Sequence, residues 1–424
     1  MNVAMRPSRR IVPIIVQQHV DDAANLYCTR SALVSAPHVR LRQLQGFDER
    51  LAAHLEGLHV AGDAARPMCE AALEVASVGA IFVATMRALD SRDSFWLERV
   101  LAISECVPHY RSGVISAFGW TDRERLQGIV RNLLGSGRAF ARLVGLAACA
   151  VHRVDPNFSS VHSFEDPEPV VRARAYRTAA ELGKRERVSR VGAAINDADP
   201  ECQSWAAWSA VLLGDRQGGL EVVKHIATIP GPCRSRAFQL AIQALSVPAA
   251  HALLQSLARQ PGDLRFIIRG AGLGGDPGYA PWLIGLMSDD KLARLSGEAF
   301  SFMTGVNLDS PDFERKRPEN FESGPNDDPN DRNVEIDEDD GLPWPDQERV
   351  QAWWNANSHR FQRGVRYFMG EPLNRENCLR VLKEGYQRQR IAAAYYLSLL
   401  NPGTPLFEWR APAWRQQRLL ATMT

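Results

Sequence analysis

The sequence of 424 residues predicts an all-α fold, an α-solenoid of stacked helix pairs, on three observations. Segments rich in alanine, with larger apolar residues at helical spacing, return at near-equal steps: Arg111, Arg142 and Arg172 head similar stretches, and Val171 to Gly183 aligns with Cys202 to Gly214 at a step of 31. Turn-forming clusters precede several of them, as in Glu165 to Pro169 and Asn196 to Pro200, where Asp can cap a helix and Pro can occupy its first turn. Second amphipathic stretches, Arg187 to Ile195 and Gly219 to Ile229, lie between the small-residue segments. Two helices per repeat of about 31 residues is the pattern of HEAT-like repeats.

Taken in order, residues 1–100 carry long helical patterns, Val20 to Val34 and Leu41 to Gly62, and are expected to form an N-terminal helical cap that covers the apolar end of the stack. Residues 101–306 hold the repeats, continuing through segments that start at Arg234, Phe266 and Ala293. Residues 307–347 are poor in aliphatic side chains and rich in Pro, Asn, Asp and Glu, so they read as a long acidic, flexible insert. Residues 348–424 return to helical pattern, with a late repeat member from Arg390.

Composition excludes several classes. Hydrophobic residues at 45% and charged residues at 23% suit a globular chain. Seven cysteines, odd in number and without a CxxC pair, suit reduced thiols better than a disulfide framework. The apolar run Ile11 to Val16 is short and broken by Pro13, and no stretch approaches the roughly 20 residues of a membrane span. A cytoplasmic protein with no membrane partner is therefore expected.

No motif announces a chemistry. The GxGxxG match at Gly270 to Gly275 falls inside a repeat helix and lacks the preceding strand that a dinucleotide fingerprint requires. His54 and His59 are five apart and share no helix face, there is no GxSxG elbow, and the acidic run Asp327 to Asp340 lacks the order of a calcium loop. No catalytic residue, cofactor or metal site is expected.

Two features remain. Arginines at recurring repeat positions (Arg111, Arg142, Arg172, Arg234 and Arg294) form a candidate basic ladder able to meet phosphates, or alternatively are exposed positions on amphipathic helices or pair with the preceding Asp turns of the chain itself. After the acidic insert come Trp344, Trp353, Trp354, Phe361, Tyr367 and Phe368. Trp353 and Trp354 point about 100° apart on a helix, so either one is core while the other packs the insert or a partner, or both sit in a wide buried face.

Three segments carry a family resemblance: Pro37 to Gly62, the repeat containing DPEPVVRARA, and Gly341 to Phe361 (GLPWPDQERVQAWWNANSHRF). Together they resemble the HEAT-like repeat proteins encoded in bacterial type VI secretion gene clusters, over most of the chain. The resemblance implies a cytoplasmic protein encoded beside spike and effector genes, acting as an immunity protein or as an effector adaptor, and it supplies no catalytic residue. The long acidic insert departs from it.

The leading expectation is a non-enzymatic solenoid that binds a cognate secreted toxin with a basic surface, such as a nuclease, through Asp337, Glu338, Asp339 and Asp340, with Trp344 and Trp353 as aromatic contacts. An adaptor or loading chaperone is one alternative. A HEAT-like nucleic-acid binder or DNA-repair enzyme is another, though nucleic acid is not the expected partner; a bilin lyase has only the repeat in its favour. The net charge of +1 hides a segregation: Asp309 to Glu348 holds 15 acidic and 4 basic residues, leaving 46 basic against 34 acidic elsewhere. Such a loop is expected to fold back on its own chain, in competition with a partner.

Overall fold

The computed structural model describes residues 11–158, 162–259, 262–319, 321, 324 and 337–423. Within the acidic insert, 320, 322, 323 and 325–336 lie outside the described residues. The described chain is all-helical apart from one short antiparallel ladder, Tyr367–Phe368 (β1) with Glu371–Pro372 (β2). None of its helices is long and apolar enough to cross a membrane. The described residues divide into two compact units, neither contiguous in sequence: those within 11–34, 42–178 and 410–422 form the first, and those within 35–41, 179–409 and 423 the second.

In the first unit α1 (Pro13–Leu33), α2 (Leu41–Ala61), α3 (Arg66–Ala72), α4 (Val78–Ser91), α5 (Ser94–Cys106), α6 (Arg111–Trp120), α7 (Ile129–Leu134) and α8 (Ala139–Val151) follow in order, and α9 (Pro169–Glu181) contains the division. Helices α1, α4, α6 and α8 lie side by side as one layer, and α3, α5 and α7 pack on it as a second. The start of α4 is set by Ser77, which accepts from Ala80 N at 3.1 Å, and that of α5 by Asp93, which accepts from Trp96 N at 2.9 Å. Along the first layer Tyr27 stacks on Phe82 at 4.2 Å and Phe82 meets Trp120 edge-on at 6.0 Å. Tyr27 satisfies its hydroxyl by donating to Ser116 Oγ at 2.9 Å.

A buried ion pair ties the end of this unit to its beginning. Arg30 and Asp48, only 4% and 3% exposed, are paired, and Arg30 also donates to the carbonyls of Arg410 and Ala411 at 2.9 Å each. Asp48 in turn accepts from the amide of Ala413, the first residue of the helix Ala413–Thr422.

The second unit repeats the layered arrangement with α10 (Val188–Ala193), α11 (Pro200–Leu213), α12 (Gly218–Thr228), α13 (Arg234–Ala244), α14 (Val247–Leu257), α15 (Leu264–Gly274), α16 (Ala280–Leu286), α17 (Ala293–Thr304), α18 (Gln347–Asn357), α19 (Arg375–Glu384) and α20 (Gln387–Leu400). Helices α11, α13, α15 and α17 form one layer, α10, α12, α14 and α16 the other, and α20 lies against α11 and α13. This neighbour pattern is compatible with a solenoid. The glycine run seen in the sequence has packing reasons: a Cβ on Gly272 would lie 2.7 Å from Ala299 Cα, so the glycine lets α15 and α17 approach backbone to backbone. Arg366 then collects the carbonyl ends of two helices, donating to Ile242, Gln243, Leu245 and Gly274 at 2.5–3.0 Å.

None of the seven cysteines is in a disulfide; Cys69, Cys149, Cys202 and Cys378 are buried, and burial pushes the Cys69 and Cys378 thiols up to about 12. Trp353 and Trp354 both face the core of the second unit, each 6.0 Å from Phe300, with Trp354 buried and Trp353 half-buried. The wide buried face is thus the arrangement observed.

Candidate functional site

One feature of the second unit gathers charge that the sequence scatters. Residues 337–340 form an acidic turn in which Asp337 Oδ1 accepts from Asp339 N at 3.0 Å. The same side-chain turn recurs at Asp166 with Glu168 N, Asp197 with Asp199 N, Asp276 with Gly278 N and Asp289 with Lys291 N. Four arginines hold this turn. Arg294 Nη2 lies 2.8 Å from Asp337 and its Nη1 donates to the Asp339 carbonyl at 3.0 Å. Arg265 reaches Asp339 at 2.6 Å, Arg269 reaches Glu338 at 2.7 Å, and Arg388 donates to the Glu338 carbonyl at 2.7 Å.

The flanks close the turn's base. Trp344 is 7% exposed, edge-on to Phe321 at 4.8 Å, with the Arg294 guanidinium 4.7 Å and that of Arg315 5.3 Å from its ring centre. Arg315 N donates to Trp344 O at 2.8 Å and Asp346 N to Phe313 O at 2.7 Å, so residues 313–315 and 344–346 run as a short antiparallel clamp. Gly341, at φ +76°, turns the chain where a Cβ would collide with the His38 ring.

Beside the turn lies a groove of about 390 Å³. Its walls come from α13 (Phe238, Gln239), α15 (Phe266, Arg269), α17 (Glu298, Phe302) and α20 (Arg388, Ile391), with Glu338 at the rim. Glu298 is 11% exposed, and burial pushes its carboxyl above the ordinary range although Arg388 donates to its Oε2 at 2.9 Å. Glu338, 61% exposed, is instead held below that range by the hydrogen bond from Arg269.

The two glutamates have opposite linkage to pH. For Glu298 the folded state holds its proton to higher pH than the unfolded one, so stability is gained as pH falls through that window; for Glu338 it is lost on acidification below the ordinary carboxylate value. Measured against pH, the stability of the parent relative to Glu298→Gln should rise on acidification, and relative to Glu338→Gln it should fall. Parallel curves in both cases would show that neither carboxyl is perturbed.

The residues singled out in the sequence fall into separate roles. Among the six acidic and aromatic contacts, Asp339 is 2% exposed, Asp337 and Trp344 are largely enclosed, Trp353 is half-buried in the core, and Glu338 and Asp340 face solvent. The fold-back contact anticipated from charge segregation is made by Asp337, Glu338 and Asp339. The ladder arginines are engaged locally. Arg142 grips Asp166 with two bonds of 2.7 and 2.8 Å, and Arg234 pairs with Asp263 at 2.5 Å. Arg172 donates to the Asp166 carbonyl at 2.9 Å, and Arg111 to Glu105 O at 3.2 Å with its guanidinium 5.4 Å from the Phe140 ring centre. Arg294 serves the acidic turn through one ion pair with Asp337 and a bond to the Asp339 carbonyl, in place of the two-bond grip of Arg142 on Asp166. Sequence reading missed Arg265, Arg269, Arg388 and Glu298; the i, i+4 spacings of Arg265 with Arg269 and of Arg294 with Glu298 were the available signal, and Arg388 had none.

No family model, curated protein or solved structure matches the chain. Among the described residues no cluster of three or more His, Cys, Asp or Glu could hold a metal ion.

Proposed function

We propose that this chain is a non-enzymatic, HEAT-like α-solenoid of a bacterial type VI secretion locus, with residues 1–100 as its N-terminal cap. On this reading it works in the cytoplasm as an immunity protein, binding a cognate toxic effector and blocking its active surface. The segments Pro37 to Gly62 and Gly341 to Phe361 supply the resemblance, and the paired helix layers are of the kind such repeats build. The observation that carries a binding role is the groove beside the docked turn: an aromatic floor next to charged side chains, on a rigid helical scaffold. A protein partner is favoured over nucleic acid because Arg142, Arg234 and Arg294 are mostly buried and spent on the chain's own carboxylates.

The partner's basic surface, that of a nuclease for instance, meets the acidic turn where it stands. Pulling the whole turn out would break the buried pairs of Asp337 and Asp339, at about 3–5 kcal/mol for such a pair. Glu338 and Asp340 already face solvent and need no such release. Co-expression with the toxin encoded beside it tests the reading: a stable complex and protection of the host are expected, and Glu338→Lys with Asp340→Lys should slow association and reverse its salt dependence. Absence of both complex and protection would refute it. Loss of toxin secretion without self-poisoning, on deletion of the protein, would assign it the adaptor role instead.

A further inference from the structure

We propose that the groove over α13, α15 and α17 seats an arginine or lysine side chain carried on an apolar segment of the protein partner, with Glu298 as its counter-charge. This rests on the reading that the partner is a protein with a basic surface, and it names the part of that surface that enters.

Three observations select this occupant. The first is the floor: Phe238 and Phe266 meet edge to face at 5.3 Å and Phe302 completes the wall, with Leu273, Leu295 and Ile391 around them. Aromatic faces carry negative charge density, so they attract a cation and repel a carboxylate. The second is the state of the charged groups. Arg388 already serves Ser35 O, Glu298 and Glu338 O, whereas Glu298 accepts at Oε2 from Arg388 and Glu338 at Oε2 from Arg269, leaving the second oxygen of each carboxylate to take a further donor. The third is the local balance. Arg265, Arg269, Arg294 and Arg388 face Glu298, Asp337, Glu338 and Asp339 one for one, and Asp340, exposed in the same turn, adds a negative charge. An entering cation would meet an enclosed carboxylate that burial has left under-solvated.

At about 390 Å³ the groove is near the lower end of ligand-pocket volumes, sized for a few side chains. An arginine fits the requirement best, since its planar head can lie along a phenylalanine while its N–H groups reach Glu298.

The test uses the purified full-length protein with methyl-labelled leucine and isoleucine, titrated with acetyl-Phe-Arg-Leu-amide. The resonances of Leu273, Leu295 and Ile391 should shift. The same peptide with citrulline, which has the shape of arginine without its charge, should bind at least tenfold more weakly. Glu298→Gln should remove that preference, and Ser235→Trp, which fills the groove from its rim, should suppress binding of both peptides while the rest of the spectrum is retained. Equal affinity for the arginine and citrulline peptides, tighter binding of acetyl-Phe-Glu-Leu-amide than of the arginine peptide, or no shift at the three groove residues up to millimolar concentration would each overturn the proposal. Because no toxin enters this titration, its failure leaves the co-expression result to stand or fall separately.

Discussion

Replacing Arg294 with alanine undocks the acidic turn and lowers the stability of the second unit by about 3–5 kcal/mol. The side chain is 7% exposed, pairs with Asp337 at 2.8 Å, holds the Asp339 carbonyl at 3.0 Å and lies over both Trp344 and Phe321. Its removal takes a cation from beside an enclosed carboxylate and a stacking partner from a buried indole in one step. Lysine should not rescue it, because a single ammonium cannot serve a carboxylate, a carbonyl and two rings at once. Amide hydrogen exchange reads the effect directly. Asp339, Asp340 and Leu342, whose N–H groups bond within the turn at 3.0–3.1 Å, should lose protection, and unchanged rates there would refute the assignment. Arg265→Ala, although its own side chain is 35% exposed, leaves the buried Asp339 carboxylate without its cation and should also expose the turn, while keeping the ring contacts of Trp344 and Phe321.

The second large effect is expected in the first unit. Asp48→Ala leaves Arg30 buried without its charge partner and deprives the Ala413 amide of its acceptor, again a loss of about 3–5 kcal/mol. The helix Ala413–Thr422 should exchange its amides as a fraying segment while α4 and α6 remain protected. Asp48→Asn, which keeps an acceptor oxygen but not the charge, should fall between the two. An unaltered exchange pattern in Asp48→Ala would mean that the buried pair does not hold the helix.

What the sequence made legible was local. Helical spacing and Asp–Pro turns place α11 where it is found: Pro200 stands in its first turn and Asp199 accepts from Cys202 N at 2.8 Å, two effects confined to four neighbouring residues. The helices Leu41–Ala61, Arg234–Ala244 and Ala293–Thr304 likewise coincide with segments read from periodicity. The site was legible only in fragments. Asp337 to Asp340 and Arg294 were both singled out, and a fold-back of the acidic loop on its own chain was expected, but not which arginine meets which carboxylate, because Arg294 and Asp337 are 43 positions apart where Arg142 and Asp166 are 24 apart. Glu298 and Arg388 looked like ordinary charges on amphipathic helices. Their pairing across 90 residues depends on α17 and α20 meeting, which no local pattern encodes.

The buried Arg30–Asp48 pair also sets a clock on how the protein is made. Asp48 and the amide it accepts from are 365 residues apart, and a ribosome adding about 5–20 residues per second needs roughly 20–70 s to span that distance. Throughout it Arg30 and Asp48 wait without the carbonyl and amide groups that complete them, and once residue 178 has been added the rest of their unit still lacks its closing helix. The second unit has the converse problem, since its residues 35–41 emerge long before the rest. Nascent chains of this protein should therefore lean on chaperones late into synthesis, and a gene cut between codons 178 and 179 should yield two fragments that are each incomplete.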